Sequence, residues 1–96
     1  MNRRSMNIEK QIVDLYHELQ YEIKRVTKNA GNPWEIVRDY ANTLPADKRD
    51  MLDAIRDFRN RWAHATPVHP APKLPDNYKE WIELLKNEIS KLKESK

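Results

Sequence analysis

There is no cysteine among the 96 residues, so no disulfide can staple the chain and nothing marks a redox compartment. Glycine occurs once, at Gly31. Without Asn-Gly or Asp-Gly pairs, and with few alternating runs, a β-sheet has no turn chemistry to start from. No apolar run approaches the roughly 20 residues that a bilayer-spanning helix needs. The opening MNRRSMNIEKQ is basic but has no apolar stretch after it, unlike a secretory signal. The expected location is therefore the cytoplasm, with no membrane partner. The three histidines, His17, His64 and His69, are not spaced as a set of zinc ligands, so neither a metal nor another cofactor is expected.

What remains is a chain that is 39% hydrophobic and 34% charged, the balance of a globular protein. Its length fits one domain, residues 1–96, and also fits a domain cut from a longer protein. A chain this short buries only about 60–65% of the surface its unfolded form exposes. With disulfide and metal both set aside, self-association is the expected extra source of stability. The net charge of +3 and a pI of about 9.2 permit a nucleic-acid partner without requiring one.

The apolar spacing is helical. Ile8, Ile12, Leu15, Leu19, Ile23 and Val26 recur every three or four residues, with Tyr16 beside them, and predict a helix from Asn7 to Ala30 that stops at Gly31. Asn32-Pro33-Trp34-Glu35 then reads as a capping side chain, a proline at the first helical position and a capping-box glutamate. The second helix carries Trp34, Val37, Ala41 and Leu44 on one side, with Ile36 and Tyr40 adjacent, and ends near Thr43 ahead of Pro45. The third starts at or just after Pro45, with Asp47 in its first turn. It buries Met51, Ile55, Phe58 and Trp62, with Leu52 beside them, and stops at about Ala65 because Pro67 cannot continue it. TPVHPAPKLPD carries four of the six prolines and reads as a stiff, extended connector. The fourth helix spans Asp76 to about Ser95, capped by Asp76 or Asn77, with Tyr78, Trp81, Ile82, Leu85, Ile89 and Leu92 as its stripe. The expected fold class is all-α, an up-and-down four-helix bundle. Trp34, Trp62 and Trp81 are all expected in the core, and His17 and His69 at the surface or at a dimer edge.

The stretch FRNRWAHATP is unusual for the end of a helix. Arg56, Asn60 and His64 stand four apart and form one slowly drifting row, with Arg59 and Arg61 beside it. Arginine offers a rigid fork of donors for phosphate oxygens, and histidine exchanges a proton near neutral pH. The edge has no carboxylate and no serine or cysteine placed as a nucleophile. Such parts suit a substrate that brings its own nucleophile, as RNA does with its 2′-hydroxyl, and this chemistry needs no metal. Arg59 and His64, five positions apart, are about 140° apart on the helix and about 7.5 Å apart along its axis. One chain cannot readily close both around one phosphate, whereas two chains about a two-fold axis can.

Arg59-Asn60-Arg61-Trp62-Ala63-His64 resembles the R-x4-H motif of the HEPN superfamily, in which a polar residue, often asparagine, follows the arginine. The form RNxWAH near the end of the third of four helices is similar to prokaryotic HEPN domains of defence and RNA-processing systems. The resemblance implies a HEPN-like helical bundle, a homodimer and metal-independent endoribonuclease activity. Arg59, Asn60 and His64 would carry catalysis: the arginine as phosphate clamp, the asparagine as orienting donor and the histidine as acid or base. Arg56 and Arg61 would add phosphate binding. Products would end in a 2′,3′-cyclic phosphate or a 3′ phosphate. Members paired with nucleotidyltransferases tend to carry a tyrosine two residues after the histidine. Thr66 stands there instead, which departs from the toxin–antitoxin version. Two other readings stand beside this one. The first is a non-catalytic HEPN-like module that binds RNA or a regulatory protein partner, or serves as the dimerisation module, with a fused domain, of a larger defence or RNA-processing system. The second is a structural adaptor whose polar edge is a salt-bridged surface.

Overall fold

The computed structural model describes residues 3–28 and 31–94, with the backbone alone for residues 3–7. Four helices form: α1 (Arg3–Thr27), α2 (Pro33–Ala41), α3 (Ala46–Ala63) and α4 (Tyr78–Glu94). Among the described residues there is no strand. No helix among them is long and apolar enough to cross a membrane. The helices make one bundle, in which α1 touches all three others and α4 most extensively. Its radius of gyration, 13.6 Å, is close to the value of about 12.5 Å expected for a compact chain of this length.

The predicted stripes of α1 and α4 build most of the core. Ile12, Tyr16, Leu19 and Ile23 of α1 meet Trp81, Leu85, Ile89 and Leu92 of α4, all buried. Each such aliphatic side chain contributes about 1.5–3 kcal/mol on burial. Phe58 of α3 meets Trp81 edge-on, with centroids 5.6 Å apart and planes at 74°.

α1 ends earlier than its apolar pattern suggests. Lys28, not Gly31, takes the left-handed conformation, with φ 56, and its N–H returns to the Lys24 carbonyl at 2.8 Å. Ala30, the expected last residue, lies outside the described residues, as does Ser95 at the far end of α4.

α2 departs from expectation at its start. Asn32 is extended before Pro33, but its side chain makes no capping bond. The buried residues of α2 are Ile36, Val37 and Ala41, whereas Trp34 remains 43% exposed and carries the Arg38 guanidinium over its ring at 4.8 Å. Trp34 is therefore not a core residue. A helix of nine residues has too few turns to fix its buried side by spacing alone, and the stripe through Ile36 and Val37 displaces the one through Trp34.

Leu52, Ile55 and Phe58 are the buried centre of α3, with Met51 and Trp62 half-buried at either side. The Trp62 indole N–H reaches Glu9 of α1 at 3.3 Å. α3 ends at Ala63, two residues before the expected Ala65, with His64 in the cap position. Glu88 of α4 is a fully buried carboxylate. It accepts from the Tyr40 hydroxyl at 2.6 Å and from Lys91 at 3.0 Å, which ties α2 to α4 through a charge-assisted hydrogen bond. Burial and the carboxylate both push the Tyr40 phenol up from its ordinary range.

Candidate functional site: the polar end of the third helix

Burial of Phe58 turns Arg59 and Asn60 away from the core, toward the gap between α3, α1 and the start of α2. The Arg59 Nε–H donates to His17 Nε2 of α1 at 3.0 Å, and its Nη1 donates to Asn60 Oδ1 at 3.3 Å. His17 must be neutral at Nε2 to accept. Partial burial holds its pKa below the ordinary histidine value, the nearby Arg59 charge adds to this, and Asp14 opposes it.

This gap is a cavity of about 490 Å³, lined by Arg56, Arg59 and Asn60 of α3, Tyr16 and Gln20 of α1, and Pro33 and Trp34 of α2. Two atoms of its lining residues, the Tyr16 hydroxyl and Arg56 Nε, are buried without a hydrogen-bond partner. An unpaired buried polar atom costs about 1–3 kcal/mol, so each marks unused hydrogen-bonding capacity in a residue of the lining. Burial pushes the Tyr16 phenol up to about 12, against the pull of the Arg56 and Arg59 charges.

His64 lies elsewhere. At the cap of α3 it is exposed and borders a second cavity, also of about 490 Å³, with Arg61, Val68, His69, Pro70 and Pro72. The proline-rich connector makes the far wall. Its turn is tied by the Thr66 N–H to the His69 carbonyl at 2.8 Å and by the His69 N–H to Thr66 Oγ1 at 2.9 Å. Arg61 also pairs with Asp57 at 3.2 Å, but both side chains are exposed and such a pair adds little.

Within one chain, then, Arg59 and Asn60 open on one cavity and His64 on another, as the helical geometry of the motif requires. Arg56 joins the first and Arg61 the second. Two residues assigned only to the surface or a dimer edge take positions in these sites: His17 as the acceptor for Arg59, and His69 beside His64. His17 is set by a contact between helices 42 residues apart, which periodicity cannot register. His69 follows a proline turn, where helical spacing no longer applies.

Among the described residues Arg56, Arg59 and His64 form no ion pair with a carboxylate, and Arg61 is the exception on this edge. The described residues also hold no group of three or more His, Asp or Glu side chains arranged to hold a metal ion. Compared with known proteins, the chain matches no family model, no curated protein and no solved structure.

Proposed function

We propose that the protein is a metal-independent endoribonuclease of the HEPN type, cutting RNA at a site shared by two copies of the chain. The observation that carries this reading is the state of the motif side chains. Arg56, Arg59 and His64 have no carboxylate partner among the described residues, and both cavities that they border are open. A surface knit by salt bridges would have used the two arginines. Here they remain available for phosphate oxygens.

In the reaction, one His64 imidazole takes the proton of the ribose 2′-hydroxyl. The 2′ oxygen attacks phosphorus and forms the new P–O bond. The 5′ oxygen leaves with a proton from the second His64, giving a 2′,3′-cyclic phosphate and a free 5′-hydroxyl. Arg59 holds the non-bridging oxygens as charge builds on them, and Asn60 orients the Arg59 guanidinium, to which its amide oxygen is bonded at 3.3 Å. The separation of Arg59 from His64 on one chain supports a site completed across a two-fold axis. Single-stranded or looped RNA is the favoured substrate, because in-line attack needs a flexible backbone.

The test is labelled RNA incubated in chelator with the wild-type chain and with His64→Ala. Cutting by the wild type alone supports the proposal, and equal cutting by both ends it. The same separation of Arg59 from His64 also favours a second reading, in which the domain binds RNA or mediates dimerisation without cutting. Retention of RNA by both variants with no cleavage would select that reading.

A further inference from the structure

We propose that the cavity between α1, α2 and α3 is a nucleotide subsite, with a phosphate between Arg56 and Arg59 and a base against Trp34. The inference deepens the RNA reading and rests on it for the source of the nucleotide, but its own observations are separate.

The cavity combines the three kinds of contact that a nucleotide needs. Cations stand on its α3 wall. Arginine has five N–H donors, and Arg59 spends one on His17 and one on Asn60, so three remain. Arg56 has a buried Nε with no acceptor. Tyr16, only 1% exposed, also lines the cavity, and its hydroxyl lies next to the Gln20 side chain without a hydrogen bond of good geometry. A folded protein seldom leaves such donors idle on two residues of one cavity lining unless a ligand or water satisfies them. A phosphate in the cavity would offer acceptors to Arg56 and, in exchange for Gln20, one turn after Tyr16, to the Tyr16 hydroxyl.

The second contact is apolar. Trp34 borders the cavity and is 43% exposed, too open for a core residue and well placed for stacking. Arg38 over its ring steadies the indole. Bases stack on such a ring whatever their identity. The third contact is the start of α2, where the Trp34 and Glu35 N–H groups have no partner within the helix, Ile36 donating to Asn32, and the dipole favours an anion. A volume of about 490 Å³ accommodates one nucleotide.

The experiment follows backbone and side-chain N–H signals of isotope-labelled protein during titration with adenosine 5′-monophosphate, adenosine and inorganic phosphate. The monophosphate should shift the Trp34 indole, Gln20 and Asn60 signals in a saturable way. Adenosine and phosphate should each bind about tenfold more weakly. Tyr16→Phe removes an unpaired hydroxyl and keeps the ring, so it should melt no lower than the wild type. It should weaken the monophosphate and phosphate severalfold and leave adenosine unchanged. Trp34→Ala should show the opposite pattern. No saturable shift at these residues, or variants that bind all three probes as the wild type does, overturns the proposal. If the monophosphate binds here while RNA stays uncut, the ribonuclease reading falls alone. If RNA is cut and the monophosphate leaves these signals unmoved, the subsite falls alone.

Discussion

The Nε–H of Arg59 donates to Nε2 of His17 across 3.0 Å, so the motif arginine on α3 is aimed by an imidazole on α1. The contact exists only while His17 is neutral. Its folded pKa lies below the value of about 6.5 for a free histidine, so as pH falls the unfolded chain takes up the proton first. Stability from the contact is complete above about pH 6.5 and declines below it, through the folded pKa. The wild type should therefore lose more melting temperature between about pH 7.5 and 5.5 than His17→Gln, whose amide oxygen accepts at either pH. Parallel melting curves for the two would contradict the assignment.

His64 is exposed at the cap of α3 and contributes nothing to the core. On the ribonuclease proposal, His64→Ala should lower RNA cleavage at least about 100-fold, and it should change unfolding free energy by no more than about 0.5 kcal/mol. Single-turnover cutting in chelator and a urea titration measure the two effects separately.

If the groove is shared, two defective chains can repair one another. Arg59→Ala and His64→Ala, each inactive alone, should regain a small part of the activity when mixed and refolded together, because a mixed dimer keeps one arginine to hold the phosphate and one histidine as base, with water protonating the leaving oxygen. A mixture as inactive as its components would show that each chain works by itself or not at all.

The tryptophans should differ sharply in their structural weight. Trp81, 6% exposed and edge-on to Phe58, should cost about 3–5 kcal/mol on change to alanine. Trp34, 43% exposed with Arg38 over its ring, should cost only about 1 kcal/mol on the same change. Chemical denaturation of the two variants settles the order.

Tyr40→Phe deletes the shorter of the two hydrogen bonds that Glu88 receives and leaves a fully buried carboxylate with less support. The expected loss is about 1–3 kcal/mol. Tyr40→Phe with Glu88→Leu should recover part of it, since an apolar pair needs no hydrogen bond.

Much of the fold was legible in the sequence, because the long helices repeat their pattern often enough to average out exceptions. Ile12, Leu19 and Ile23 on α1, and Trp81, Leu85 and Ile89 on α4, are buried as their spacing implies. The short α2 gives no such averaging, and Trp34 was misplaced for that reason. Gly31 looked like the helix stop because glycine tolerates left-handed backbone most easily. Lys28 takes that conformation instead, at a modest steric cost. The candidate site was legible as a row of residue types on α3. Its surroundings were not: His17, Tyr16 and Gln20 come from a helix far away in the chain, and only packing brings them to Arg56 and Arg59.

The connector beside His64 carries prolines at 67, 70, 72 and 75 and is pinned by the paired Thr66–His69 bonds. Such a wall stands in place before anything arrives, with little freedom left to lose. Ligand capture at the His64 end should therefore be a single kinetic phase whose rate climbs linearly with concentration, with no plateau from a closing step.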